Sequence, residues 1–335
     1  MEHKKYDRID GLWNKKFIAY LEGTPYVRSD VDWVVTEKIH GSNFAFYMDQ
    51  DGEKTAKRNG FIEEGENFFQ CLRMTSRESY KVREMWDYLA LDYKPKKLIV
   101  YGELCGGNYP HPDIERPHSV RAIQKGVYYS PDVEFVVFDI WFNGEFEDYY
   151  AMAHLCEQVG LKFVLPLKVG TYRECIQYSD EFESNIYSYF DLPKIENNIC
   201  EGIVIKPVTA RYFEDGDRIM IKSKNDRFKE VERAPKKQRA RDNTLSEYAM
   251  TTLSLIEPYI NENRIRNVLS KFGEFSKTDF SVILKLFLAD IYDDFKINHD
   301  NIEMMDEDDF KLLNKAVTRA CVGVWRPIYL SEGPR

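Results

Sequence analysis

Two lysine-bearing segments have the residue types and spacing to act on phosphate. In Val34-Val-Thr-Glu-Lys-Ile-His-Gly-Ser-Asn43, Lys38 closes one strand-like run and a glycine turn leads into the next. A lysine held at a strand end can point into whatever cleft the turn borders. Its amine attacks phosphorus only when neutral, which requires burial or neighbouring cations. A lone lysine at such a place more often serves solubility. In Ile219-Met-Ile-Lys-Ser-Lys224, strand alternation puts Lys222 and Lys224 on one face and Ile219 and Ile221 on the other. Neighbouring cations repel unless an anion such as a triphosphate lies between them. Edge strands also carry such lysines to discourage edge-to-edge pairing.

Three further segments set a polar group beside apolar strand sequence. Tyr101-Gly-Glu-Leu-Cys-Gly-Gly107 places Glu103 among glycines that let a ligand approach the backbone. Phe135-Val-Val-Phe-Asp-Ile offers Phe138 next to Asp139, and Glu201-Gly-Ile-Val-Ile-Lys-Pro207 has an acid at one end and Lys206 at the other. Each segment taken alone also reads as a strand-end charge facing water, or as a core phenylalanine.

The elements that must position these groups are short strands mixed with helices up to about residue 225. Trp33–Thr36, Phe44–Met48, Leu98–Tyr101, Glu134–Phe142 and Arg218–Lys224 are β-branched and aromatic at strand length. Tyr149–Val159 and Cys175–Phe190 read as helices. Their irregular interleaving predicts an α+β fold with largely antiparallel sheets. Val231–Asn243 is polar, basic and broken by Pro235, a linker composition. Beyond it the pattern turns helical. Thr244-Leu-Ser-Glu247 and Ser276-Lys-Thr-Asp279 have the capping-box pattern. Phe280, Ile283, Leu284, Phe287, Leu288, Ile291 and Phe295 then form one apolar stripe. A last helix starts in the acids Asp306–Asp309 and buries Phe310, Leu313, Val317 and Ala320. The expected domains are therefore 1–230, a linker 231–243, and an all-helical 244–335.

Composition narrows the function class. The 335 residues carry 47 Lys+Arg against 56 Asp+Glu, a net charge of −9, with 43% hydrophobic and 31% charged residues. That balance fits a folded soluble chain and not wholesale disorder. No apolar run approaches the roughly 20 residues that cross a bilayer, and the charged Met1–Asp7 is not a secretory signal. Six scattered cysteines without a C-x-x-C pair read as reduced cytosolic thiols, not a zinc site. The acidic total hides a basic stretch: Arg218–Asp242 holds ten Lys/Arg against four Asp/Glu. Such a cluster can meet a polyanion or be a solvated linker.

Taken together and in order, these segments resemble the covalent nucleotidyltransferases, the superfamily of ATP-dependent polynucleotide ligases and mRNA capping enzymes. The lysine motif K-x-D-G appears as Lys38-Ile-His-Gly41, with His40 in place of the usual aspartate. With Ala56-Lys-Arg-Asn-Gly60 and the later motifs in family order, the chain resembles the RNA ligase 2 family of T-even phages, which includes trypanosome editing ligases. Asn263–Glu274 is similar to the small helical domain of the phage enzymes, which points to the phage and viral branch.

The resemblance implies an N-terminal adenylyltransferase domain, and residue roles position by position. Lys38 would be the nucleophile that takes AMP from ATP. Glu37 and Ile39 would lie at the adenine, Phe138 would stack on it, Glu103 would hold the ribose and Arg58 the sugar or phosphate. Lys222 and Lys224 would neutralise phosphates, Asn43 and Lys206 would complete the pocket, and Glu201 would serve Mg²⁺ or Mn²⁺. Phe68, Phe69, Arg264, Asp290 and Asp294 match positions that meet or help seal a nick; two core aromatics and a solvated acidic patch read identically. The family has Glu where Asp294 stands. The implied activity is ATP-dependent sealing of 3′-OH/5′-phosphate nicks in duplex RNA or an RNA-containing duplex. The implied protein is a monomer in the cytoplasm, the host's if phage or viral. The alternatives are a DNA or general nick ligase, a GTP-using capping enzyme, and a binder with a dead site.

Overall fold

In this computed structural model, residues 1–115, 117, 120–229, 245–276, 278–299, 301–303 and 305–332 are described. The chain divides into two units, Met1–Arg227 and Phe228–Arg335. The expected linker, including the basic residues beyond Lys229, lies outside the described residues, as does Thr244.

The β-branched and aromatic runs form two sheets in the first unit. The strands are β1 (Asp10–Gly11), β2 (Trp33–Glu37), β3 (Ser42–Asp49), β4 (Gly52–Lys57), β5 (Gly60–Phe61), β6 (Lys97–Gly106), β7 (Val133–Phe142), β8 (Glu145–Phe146), β9 (Pro166–Gly170), β10 (Gly202–Pro207) and β11 (Ile221–Lys224). One sheet has the order β1-β11-β10-β2-β9 and the other β5-β4-β3-β6-β7-β8. Pairing is antiparallel except where β1 runs beside β11, so the α+β expectation holds. The helices are α1 (Lys15–Glu22), α2 (Leu72–Leu89), α3 (Tyr149–Val159) and the single turn α4 (Tyr172–Cys175).

Strand alternation separates the cores. Trp33, Val35, Ile203, Ile205 and Ile221 pack together on one face of the first sheet. Phe44, Phe46, Leu98, Val100 and Phe135 face the main core with Val82 and Met85 of α2 and Met152 of α3. At about 25 cal/mol for each Å² of apolar surface buried, such cores supply most of the drive to fold. The expected helix over 175–190 does not form. α4 ends at Cys175, and only Ile186–Phe190 returns to a short 3₁₀ turn. In the intervening Ser179-Asp-Glu-Phe-Glu-Ser184 the serine hydroxyls bond nearby backbone amides, while Asp180, Phe182, Glu183 and Ser184 bond to Ser223, Cys200, Asn197 and Asn198.

The second unit is helical among its described residues: α5 (Glu247–Ile256), α6 (Glu262–Phe272), α7 (Phe280–Asn298) and α8 (Glu307–Glu332). Ser246 caps α5 by accepting from the Ala249 amide. The Ser276 box is only half made: Asp279 accepts from the Ser276 amide at 2.7 Å, but no side chain caps α7. The apolar stripe is as expected, with Ile283, Phe287, Ile291 and Phe295 fully buried against Leu313, Val317, Cys321 and Trp325. Phe310 and Ala320 are only half-buried. Among the described residues no helix is long and apolar enough to cross a membrane.

Candidate active site

Antiparallel register brings the two lysine segments to one place. Glu37, the last residue of β2, pairs with Ile203 of β10, and Gly202 pairs with Lys224 of β11. Lys38 continues the ladder by donating its amide to the Gly202 carbonyl at 2.9 Å. Lys38 and Lys224 thus flank residue 202 across three strands, with Lys222 on the same face as Lys224.

Glu201 lies between them. One carboxylate oxygen accepts from Lys38 Nζ at 2.8 Å and lies 3.4 Å from His40 Nδ1; the other is 2.9 Å from Lys224 Nζ. Strict alternation would send Glu201 to the apolar face with Ile203. Gly202 breaks that alternation with φ of +149°, and a Cβ there would sit 2.0 Å from the Ser223 carbonyl oxygen. Only glycine fits such a place. Burial alone would raise the Glu201 carboxyl, but Lys224, Lys38 and His40 hold it well below the ordinary carboxylate range.

Two neighbouring acids behave in the opposite way. Glu37 is 5% exposed, and burial pushes its carboxyl up to about 7 despite hydrogen bonds from the Ser184 side chain and Asn185 backbone. Its Oε1 is buried with no hydrogen-bond partner. Glu103, register partner of Asn43, is likewise pushed by burial up to about 7, opposed by the charges of Lys38 and Arg58. Gly41 packs against Glu103's strand; a Cβ would meet the Leu104 carbonyl oxygen at 1.9 Å. Ile39 is buried, while Asn43 and Arg58 are half-buried near the same acids.

Phe138 owes its place to a bulge. Tyr101 pairs with Asp139 but Gly102 with Val137, so Phe138 is the extra residue of β7. A bulge re-aims one side chain, and here the half-buried ring packs edge-on against Tyr6 at 4.9 Å. Beneath it, Lys206 Nζ donates to the Phe138 carbonyl at 3.0 Å and pairs with Asp139 at 3.0 Å. Asp139 also takes two bonds from Arg218, at 2.8 and 3.3 Å, and one from the Tyr6 hydroxyl at 2.6 Å. Burial opposes ionisation of Asp139, but Arg218 and Lys206 outweigh it and lower the carboxyl. Lys206, expected in the pocket, thus fixes the backbone under Phe138.

The positions expected to meet nucleic acid need correction. Phe68 is 1% exposed and lies in the main core, the core-aromatic alternative that the sequence left open. Phe69 is half-buried against that core with φ of +49°. Arg264 is also wholly buried. Its guanidinium pairs with Asp290 at 2.7 Å and Asp294 at 2.9 Å, so it ties α6 to α7 and does not present charge to solvent. Asp290 also holds Lys271 at 3.0 Å. Arg264, expected at the nick, is thus found inside the unit with its charge paired to Asp290 and Asp294.

Other supports had no obvious signal in the sequence. Arg218 sat in a basic stretch, Tyr6 near the start of the chain, and Ser184 in a segment read as helix. The glycine after Glu201 was the one legible hint.

A family model described as RNA ligase matches residues 31–224, more than half of the chain, a span that includes Lys38, Glu103, Phe138, Glu201 and Lys224 but not Tyr6 or Arg264. The chain belongs to the RNA ligase family. A second model, described as T4 RNA ligase 2 C-terminal, matches residues 243–322 of this ligase. The ligase is 25% identical over 324 residues to the mitochondrial RNA-editing ligase 1 of Trypanosoma brucei brucei (strain 927/4 GUTat10.1), covering 76% of this chain and 68% of that protein. It is 26% identical over 351 residues to RNA-editing ligase 2 of the same strain, covering 87% and 82%. Among solved structures, a Naegleria gruberi RNA ligase with PPi is 17% identical with a TM-score of 0.45. That likeness covers 68% of this chain, which spans 57% of the length of that one.

Proposed function

We propose that this RNA ligase is ATP-dependent and seals 3′-OH/5′-phosphate nicks in duplex RNA through a lysyl-AMP intermediate on Lys38. The observation that carries the reading is the Glu201 carboxylate held between the Lys38 and Lys224 ammoniums. A carboxylate so placed holds both lysines at one point of the cleft, and a phosphate can replace it as their partner.

The residues divide the work. Glu37 Oε1, a buried acceptor without a donor, suits the exocyclic amine of adenine, whereas guanine would offer it a carbonyl. In this reading Phe138 stacks on the base, and Glu103 and Arg58 take the ribose and its phosphate. Lys222 and Lys224 offset the charge of the phosphates. Lys38 Nζ, having first lost its ammonium proton, attacks the α-phosphorus; the bond to the bridging oxygen breaks, pyrophosphate leaves and the amine gives up a second proton. A 5′-phosphate oxygen of the nick then attacks the same phosphorus, the P–N bond breaks, and the amine recovers a proton. Finally the 3′-hydroxyl attacks the 5′-phosphate, loses its proton, and AMP departs. Positioning and charge neutralisation supply most of the rate in such transfers.

Among the described residues no group of three or more His, Cys, Asp or Glu could hold a metal by itself. Glu201 alone, through water, suits Mg²⁺ or Mn²⁺ arriving with the nucleotide. A divalent ion bound there would draw charge off the phosphates.

The test is sealing of one nicked duplex with ATP and Mg²⁺, the 3′-OH strand ending in RNA or in DNA. Sealing confined to the RNA end is expected, because the 2′-hydroxyl separates the two substrates. Equal sealing would favour a general nick ligase, and no sealing of either would overturn the proposal.

A further inference from the structure

The turn that carries the nucleophile is held at several points. Lys38 donates its amide to Gly202, at one end. At the other, the Gly41 amide supports Glu103, and Gly41 packs against the Leu104 carbonyl. The middle of the turn is held by a group outside the motif: the His40 amide donates to the Tyr129 hydroxyl oxygen at 2.8 Å. Tyr129 is 1% exposed. Burial pushes its phenol well up, so the oxygen stays a neutral hydroxyl.

Tyr129 is itself fixed from the opposite side. Asn198, 3% exposed, accepts from the Tyr128 amide at 2.9 Å and donates to the Tyr128 carbonyl at 2.7 Å. The Asn198 carbonyl accepts the Ser184 amide at 2.8 Å, and Ser184 supports Glu37. Asn198 thus joins the segments on both sides of the turn, through its side chain to Tyr128 and its backbone carbonyl to Ser184, with Lys38 between the two residues they hold. Rotating the turn at His40 would swing Lys38 Nζ away from an in-line approach, and loss of alignment slows group transfer more than it weakens binding.

We propose that Tyr129 is a positioning residue for the nucleophile, acting through the His40 backbone, with Asn198 as its anchor. The inference rests on the reading of Lys38 as the adenylated residue. It predicts a division between the steps. Adenylation needs Lys38 Nζ aligned with phosphorus, whereas sealing of an already adenylated nick forms and breaks no bond to Lys38.

Tyr129→Phe removes one oxygen and keeps the ring. Single-turnover adenylation of this variant should slow about tenfold or more, with the KM for ATP changed by less than about twofold. Sealing of a pre-adenylated nicked duplex RNA, supplied without ATP, should stay within about threefold of the unsubstituted enzyme. Asn198→Ala, which leaves the hydroxyl in place, should shift the same steps in the same direction by less, and it carries the test if Tyr129→Phe does not fold. Equal slowing of both steps would overturn the proposal, since general loosening of the site does not choose between them. Unchanged adenylation would overturn it too. Failure of the Lys38 reading is separate: the unsubstituted enzyme would then take no label from ATP.

Discussion

The unit Met1–Arg227 holds the Glu201 anion between two lysines, and the helical unit holds the Arg264 cation between two carboxylates. The difference lies in what surrounds each set. Beside Glu201, Glu37 and Glu103 are pushed up to about 7, and Glu37 Oε1 has no hydrogen-bond partner. Arg264 has three acceptors from α7, the Asp290 carbonyl and the two carboxylates, and lies over the Tyr259 ring at 5.5 Å. The first arrangement leaves polar groups that a ligand would satisfy; the second is complete without one. Charge clusters at functional sites differ from structural ties in this respect, in addition to the size of their pKa shifts.

Substitutions can break the contrast. Glu201→Gln keeps the shape but removes the charge that holds both lysines. Adenylation by ATP should fall more than about 100-fold while the protein stays folded. A smaller loss would mean that the bracket is only structural. Arg264→Met should do the reverse. It leaves two carboxylates without their cation and should destabilise the helical unit by on the order of 3 kcal/mol. Lysine adenylation should persist, since every proposed nucleotide contact lies within Met1–Arg227. Denaturant melts of the variant, paired with a labelling assay, would show both effects.

The smallest expected effect concerns pH. Glu37 titrates near 7 in the folded chain against 4.5 when unfolded, so between those values the folded state holds the extra proton. Stability from this group is therefore lost as pH rises from about 4.5 to about 7, by roughly 1 to 3 kcal/mol. Glu201 runs the other way, its contribution being present above the unfolded value and lost as pH falls through its depressed folded value. Glu37→Gln should gain on the unsubstituted ligase across that window in melting experiments without nucleotide. A pH-independent difference would sharpen attention on Glu201 alone.

The legible parts of the molecule were those fixed by local pattern. Alternation placed Lys222 and Lys224 on one face, and spacings of three and four gave the stripe of α7. The order of the motifs carried the family, and strand register then put Lys38, Glu201 and Lys224 side by side. Groups that act across long separations were not legible. Tyr6 reaches Asp139 over 133 residues and Tyr129 reaches His40 over 89; nothing in the sequence near either tyrosine marks the pairing. Phe68 and Arg264 were assigned by matching family positions, and the sequence left a core aromatic equally open at Phe68; tertiary packing, which local pattern does not show, buries both. The segment 175–190 has helical spacing, but Ser179 and Ser184 bond to nearby backbone while Asp180 and Glu183 bond to Ser223 and Asn197, distant partners that spacing does not show.

The most direct test is to expose the ligase to α-labelled ATP with Mg²⁺ and map the labelled peptide, with Lys38→Ala in parallel. The label should sit on Lys38 through an acid-labile P–N bond and be absent from the variant. Label on another residue, or undiminished label on Lys38→Ala, would contradict the nucleophile assignment on which the reading of the Glu201 site depends.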